Sequence, residues 1–281
     1  MKPPARLLPL INDGLIDEVL YPLMSGKEAD VYVVRCGADT RCAKIYKAAH
    51  NRSFKKAAQY QEGRKVRNTR RARAMNKGSR FGRRQTEDTW QQAEYQALLK
   101  LADAGVRVPT PFGCYDGVLL MELVTGEGDE VAPRLDDVVL SESQALEDHA
   151  VVISYVVKML CAGLVHGDLS EFNILLDEYG PVIIDLPQAV DAAANNNAER
   201  MLKRDVNKLR DYYSQFAPEL QHTQYADEIL ALFENGDLTP QTPLSGSTAE
   251  PDRPANVNTV LDEIRAVLAE HEEQQARTRE Q

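Results

Sequence analysis

Asp168 and Asn173 lie in the run His166-Gly167-Asp168-Leu169-Ser170-Glu171-Phe172-Asn173, and Asp185 follows two apolar runs, Ile174–Leu176 and Val182–Ile184. A carboxylate, an amide and a second carboxylate in that order are what phosphoryl transfer needs. One acid positions a nucleophile, while an amide oxygen and another acid hold a metal ion. The two apolar runs read as short strands, with Asp177-Glu178-Tyr179-Gly180 as the turn between them. Such a hairpin brings its outer ends together, so Asn173 and Asp185 can share one ion. Hard oxygen ligands suit magnesium, with manganese as a substitute, and magnesium brings substrate phosphates with it.

Other residues fit the same chemistry less specifically. Ser25-Gly26-Lys27-Glu28-Ala29-Asp30-Val31-Tyr32 is a small-residue turn entering a strand, where backbone N–H groups can approach phosphate oxygens. An ordinary tight turn would look the same. Lys44, on the next strand, can reach the α and β phosphates if a carboxylate steadies it, and Glu94 is the candidate. Met121-Glu122-Leu123 ends a strand at a lobe boundary, where backbone groups could meet an adenine edge; a core Met and a surface Glu explain these side chains equally well. His166 reads as a structural support of the Asp168 loop, ahead of an acid–base pair with Asp168. Ser170 and Glu171 either contact the transferred phosphate or brace the turn.

These residues need a scaffold. Leu15–Leu20 reads as a short helix or turn, and Ala29–Val34 and Cys42–Tyr46 as a β-hairpin. Asp88–Asp103 has helical apolar spacing with a stop at Ala104-Gly105, and Phe112–Tyr115 pairs with Val118–Val124 across Asp116-Gly117. Ser143–Cys161 and Glu199–Phe216 read as helices. Strands with one helix, then mainly helices with small hairpins, predict a two-lobed α+β fold. The expected organisation is an N-terminal extension (1–14), an N-lobe (15–123), a C-lobe (124–234), a Pro/Ser/Thr-rich linker (235–257) and an amphipathic tail helix (258–281).

Among the 281 residues, 43% are apolar and 27% charged, which suits a globular core, and no apolar run approaches a membrane span. Four scattered cysteines without a Cys-x-x-Cys pair argue against a disulfide or zinc framework and suggest a reducing, cytoplasmic setting. Net charge is −10, yet Arg52–Arg84 holds 13 Lys/Arg against Glu62 alone, leaving 20 basic and 42 acidic residues elsewhere. That segment (52–84, within an expected mobile loop 52–86) suits a polyanion such as RNA or a ribosomal particle. A solvated loop offsetting the acidic surface is the alternative. Thr69, Ser79 and Thr86, in or beside it, are candidate self-phosphorylation sites.

Together the motifs resemble the RIO family of atypical serine/threonine protein kinases. The resemblance rests on Ser25–Tyr32, Ala43-Lys44-Ile45-Tyr46, Trp90-x-x-Ala93-Glu94, Met121-Glu122-Leu123, Ala132-Pro133-Arg134-Leu135, His166–Asn173 and Ile184-Asp185-Leu186-Pro187-Gln188. These run in family order from about residue 15 to 215. Ser170 in place of the usual kinase catalytic-loop lysine is similar to this family, as is Asp185-Leu186-Pro187 in place of Asp-Phe-Gly. The resemblance implies a protein-kinase-like fold with a truncated C-lobe, lacking the peptide-binding activation segment and helices, in the branch without a winged helix. It implies Asp168 as catalytic aspartate, Asn173 and Asp185 as metal ligands, and Lys44 with Glu94 as the phosphate-positioning pair. Ser25, Gly26, Lys27, Ala29 and Val31 would belong to the phosphate loop and its strand, and Met121, Glu122 and Leu123 to the adenine edge. ATP and magnesium are the implied ligands, and a protein, or the chain itself, the substrate. An ATPase switch in an RNA-bound assembly factor uses the same residues, and a small-molecule kinase of the aminoglycoside or choline type shares the His-Gly-Asp and Ile-Asp motifs. Pro187 stands where the family often has Ser, which removes a backbone donor but no metal ligand.

Overall fold

A computed structural model describes residues 2–26, 29–47 and 80–247. The chain divides into two compact units, Met1–Gly246 and Ser247–Gln281, and all elements below lie in the first. Lys27, most of the basic segment, Thr69, Ser79 and the expected tail helix fall outside the described residues.

Five antiparallel strands form the N-terminal sheet: β1 (Glu18–Ser25), β2 (Ala29–Cys36), β3 (Asp39–Tyr46), β4 (Pro111–Tyr115) and β5 (Val118–Glu122), in the order β1-β2-β3-β5-β4. Strand alternation on β3 sends Ala43 and Ile45 to one face and Lys44 and Tyr46 to the other. On the first face Ala43 and Ile45 join Val34, Val118 and Leu120 under Leu7, Leu10 and Ile16, from around the short helix α1 (Leu8–Asn12). On the other face Tyr46 and Leu119 pack with Ala97, Leu98 and Leu101 of α2 (Arg80–Asp103). The β4–β5 turn places Asp116 at φ 42° and Gly117 at φ 86°. Two left-handed residues suit the twist of a two-residue hairpin, and an Asp-Gly pair adopts them at little cost.

Two expectations need correction. Leu15–Leu20 is neither helix nor turn throughout, because β1 begins at Glu18 and pairs with β2 from Glu18↔Arg35 to Ser25↔Asp30. Its signal was masked by Pro22, by register shifts between Val19 and Tyr21 and between Pro22 and Met24, and by mostly exposed side chains. An edge strand tolerates Pro and lacks clean alternation. The second helix starts at Arg80, eight residues ahead of the expected Asp88.

The C-terminal part is built on α3 (Glu142–Cys161) and α4 (Ala198–Tyr213). Ser141 caps α3 with Gln144 in a reciprocal capping box: Gln144 N donates to Ser141 Oγ at 3.3 Å and Ser141 N to Gln144 Oε1 at 3.1 Å. Val152, Ile153, Val156, Met159 and Leu160 of α3 pack with Met201, Leu202, Val206 and Leu209 of α4 in one core. Each such side chain contributes roughly 1.5–3 kcal/mol by leaving water. Between the helices lie β6 (Leu164–Val165), the hairpin β7 (Ile174–Asp177) with β8 (Gly180–Ile183), and β9 (Val190–Asp191), which pairs with β6. The last helix among the described residues, α5 (Tyr225–Asn235), ends on Gly236 at φ 77°, the left-handed cap that glycine adopts freely. No helix among the described residues is long and apolar enough to cross a membrane.

Candidate active site

Lys44 is the hub of the site. It is 8% exposed, and its Nζ lies 2.8 Å from Glu94 Oε1 and 2.7 Å from Asp185 Oδ1. β3 fixes the lysine, α2 the glutamate, and the loop after β8 the aspartate. Burial alone pulls the Lys44 ammonium down, but Asp185 and then Glu94 more than reverse this, holding it above the ordinary lysine range. The Lys44 charge in turn lowers the Asp185 carboxyl against its burial. Glu94 is 1% exposed, and Tyr46, two residues beyond Lys44 on the same face of β3, donates its hydroxyl to Glu94 Oε2.

A cavity of about 390 Å³ opens beside this hub. Gly26, Ala29, Val31, Lys44, Met121, Glu122, Leu123, Asn173 and Asp185 line it, with Leu23, Cys42, Ala132, Arg134 and Phe172 adding an amphipathic wall. Burial pushes the Cys42 thiol up to about 12, so it stays protonated and serves as apolar wall. Ser25 and Asp168 are not among the lining residues. Ser25 Oγ donates to Asp30 Oδ1 at 2.5 Å, and Lys47 spans the same turn, 2.8 Å from Asp30 and 2.7 Å from Gly26 O. The Gly26 amide donates to Ala29 O at 2.9 Å, so the turn closes on itself. Glu122 is exposed; its amide donates to Thr110 O at 2.9 Å, and its Oε2 accepts from Thr110 N at 2.9 Å and Oγ1 at 2.7 Å.

The β7–β8 hairpin joins the two loops that sequence spacing singled out. Ile174 faces Ile183 across it, and Ile184 N donates to Asn173 O at 3.0 Å. Asn173 Nδ2 donates to Asp168 O at 2.7 Å, tying the loop's ends together and leaving Oδ1 for another partner. Asp185 sits at φ 65°. A left-handed backbone at a residue other than glycine costs about 1–3 kcal/mol and persists where surrounding bonds over-determine it. Here the Lys44 pair and the Ile184–Asn173 bond flank it. His166 Nδ1 accepts from the Asp168 amide at 3.3 Å, so the proton lies on Nε2, which donates to Ile184 O at 3.1 Å. The ring thus bridges the two loops, which is a supporting role.

Three residues of α4, unmarked by sequence reasoning, complete the arrangement. Asp205, 2% exposed, accepts the Gly167 amide at 2.8 Å. Arg204 donates to Gly167 O and to Asp205 Oδ1 at 3.2 Å. Lys208 Nζ lies 3.3 Å from Asp168 Oδ1. These three lie on a helix that buries Met201, Leu202, Val206 and Leu209 and is charged or polar at most other positions, so nothing local singled them out or said which loop they would face.

The family model described as the RIO domain matches residues 30–226. The chain belongs to the RIO family of atypical serine/threonine-protein kinases. It is 37% identical over 210 residues to the RIO-type serine/threonine-protein kinase Rio1 of Haloferax volcanii, covering 74% of this chain and 68% of that protein. It is 33% identical over 230 residues to the human serine/threonine-protein kinase RIO1, covering 81% of this chain and 38% of that protein. The RIO chain thus spans about two thirds of the archaeal relative and under half of the human one. Its fold matches the Rio2 kinase–ADP/Mg²⁺–phosphoaspartate complex from Chaetomium thermophilum with a TM-score of 0.54 at 23% identity, over 74% of this chain and 59% of that one.

Proposed function

We propose that this RIO kinase is a magnesium- and ATP-dependent serine/threonine phosphotransferase that also phosphorylates itself. The observation that carries the proposal is Lys44 held between Glu94 and Asp185 at 2.8 and 2.7 Å on the wall of a 390 Å³ cavity. That volume is in the range of small-ligand sites. ATP would place its adenine against Met121 and the backbone of Glu122 and Leu123, under Ala29 and Val31. Lys44 would hold the α and β phosphates, with Ser25 and Gly26 above them.

Asn173 and Asp185 fit magnesium by the chemistry of their donors: one carboxylate and one amide oxygen, whose amide nitrogen is already spent on Asp168 O. No group of three or more His, Cys, Asp or Glu that could hold a metal occurs among the described residues. Magnesium is commonly held by one or two protein oxygens together with waters. When bound, magnesium offsets charge on the phosphate oxygens; manganese would use the same donors. Asp168 would orient the attacking hydroxyl and take its proton.

The basic segment 52–84 favours a second reading, in which ATP hydrolysis acts as a switch in an RNA or ribosomal particle. In that reading Asp168 would become a transient phosphate acceptor; the Chaetomium neighbour is described as a phosphoaspartate complex. Mass spectrometry of the chain after incubation with ATP and magnesium separates the two. Stable phosphoserine or phosphothreonine supports the phosphotransferase; phosphate release with an unmodified chain supports the switch.

A further inference from the structure

The loop from Asp168 to Asn173 brings no cation of its own, since Leu169, Ser170, Glu171 and Phe172 fill it. Lys44, paired with Glu94 and Asp185, would serve the α and β phosphates. A phosphoryl group arriving beside Asp168 would therefore set its negative oxygens against a carboxylate. Like charges at such distances oppose the transfer unless a fixed cation offsets them.

α4 supplies two cations, and they are held differently. Arg204 Nη2 is 3.9 Å from Asp168 Oδ1, but its guanidinium is pinned by Gly167 O and Asp205. Lys208 Nζ is closer, 3.3 Å from the same oxygen, and Asp168 is its one ion-pair partner among the described residues. The Lys208 side chain is 41% exposed, so its flexible stem has room to move. Arg204 and Lys208 stand one helical turn apart and reach the loop from the same side.

We propose that Lys208 is a catalytic residue that holds the phosphoryl oxygens during transfer, supplying from α4 the charge that the loop lacks. Arg204 is a positioning residue that fixes the Gly167 carbonyl. In the step, the acceptor oxygen bonds to the γ-phosphorus as the bond to the β–γ bridging oxygen breaks. The electron pair leaves with ADP, and the acceptor's proton passes to the Asp168 carboxylate. Lys208 contributes charge and no proton. The inference rests on the assignment of Asp168 given above.

The test compares Lys208→Met and Lys208→Arg with the wild-type protein. Lys203→Met serves as a control on the same helix, since Lys203 pairs with Glu199 and Asp227 instead. Turnover of Lys208→Met should fall about 10²-fold, with KM for ATP within about threefold, and Lys208→Arg should recover part of the loss. Binding of ADP with aluminium fluoride, which mimics the phosphoryl group in flight, should weaken in Lys208→Met while a non-hydrolysable ATP analogue binds as before. Wild-type turnover in Lys208→Met, or equal weakening of both ligands, would overturn the proposal. Asp168→Ala run in parallel separates the two assignments. If it keeps turnover, the reading of Asp168 fails and Lys208 with it; if it is silent while Lys208→Met is normal, only the role of Lys208 fails.

Discussion

Tyr46 of β3 and Glu94 of α2 are joined between the N-terminal sheet and the helix packed on it, the phenol donating to Oε2 of the carboxylate whose Oε1 holds Lys44. Burial first, then Glu94, holds the Tyr46 hydroxyl well above its usual range, so it remains a donor at any working pH. Tyr46→Phe would leave one buried carboxylate oxygen without its partner, at a cost of about 1–3 kcal/mol. The expected outcome is lower stability in urea and a raised KM for ATP, because Glu94 then steadies Lys44 less well. Unchanged KM and stability together would show that Glu94 needs no second partner.

Lys44→Met should be more severe than Tyr46→Phe. It leaves Glu94 and Asp185 facing each other without the cation between them, and breaking a buried pair in this way costs about 3–5 kcal/mol. Phosphotransfer should be lost and ATP should no longer raise the melting temperature. A charge-neutral double variant, Lys44→Met with Glu94→Gln, should recover stability without activity, and thermal melts beside activity assays check both.

Asp205 anchors the Asp168 loop through the Gly167 amide at 2.8 Å. Its carboxyl is raised by burial, an effect that Arg204 only partly opposes. Asp205→Ala should lower turnover by at least about tenfold, since small displacements of a positioned group cost large factors in rate. Asp205→Asn keeps an acceptor oxygen and should lose less. Equal activity in both variants would remove Asp205 from the site's support.

His149 gives the fold its own pH dependence. The side chain is 1% exposed, its Nε2 has no hydrogen-bond partner among the described residues, and its ring packs at 5.4 Å against Tyr213 and against Tyr225. Burial lowers it to about 4 from 6.5. Between those values the unfolded chain binds a proton that the native chain refuses, so stability rises with pH across the window and falls on acidification. The contribution is about 3 kcal/mol. Asp148 acts in the opposite sense: burial, helped by Glu147, raises it to about 6 from 3.8, so its contribution is present below 3.8 and lost as pH rises through 6. Its half-exposed position makes this the smaller effect. Urea unfolding at pH 5 and pH 7 should show His149→Leu with a flatter profile than the wild type.

The residues that periodicity could reach were those whose neighbours lie close along the chain. The β2–β3 and β4–β5 hairpins follow from alternation and turn residues, and the meeting of Asn173 with the Asp185 loop follows from the length of the β7–β8 hairpin. β1 was lost because an edge strand with Pro22 and exposed side chains carries no two-residue pattern. α1 and α5, at 5 and 11 residues, are short and take much of their stability from packing, which composition does not display. Lys208 is forty positions from Asp168 and meets it only because α3 and α4 pack around one core. Tertiary packing decides such contacts, and the sequence offers no register for them.

Label transfer from γ-labelled ATP in the presence of magnesium, run on the wild-type chain beside Asp168→Ala and Asp185→Ala, probes the phosphotransfer assignment itself. Acid-stable label on serine or threonine in the wild type, absent from both variants, is the expected result. Label in Asp185→Ala at a rate near that of the wild type would contradict the placement of the metal and of Lys44 on which the proposed mechanism depends.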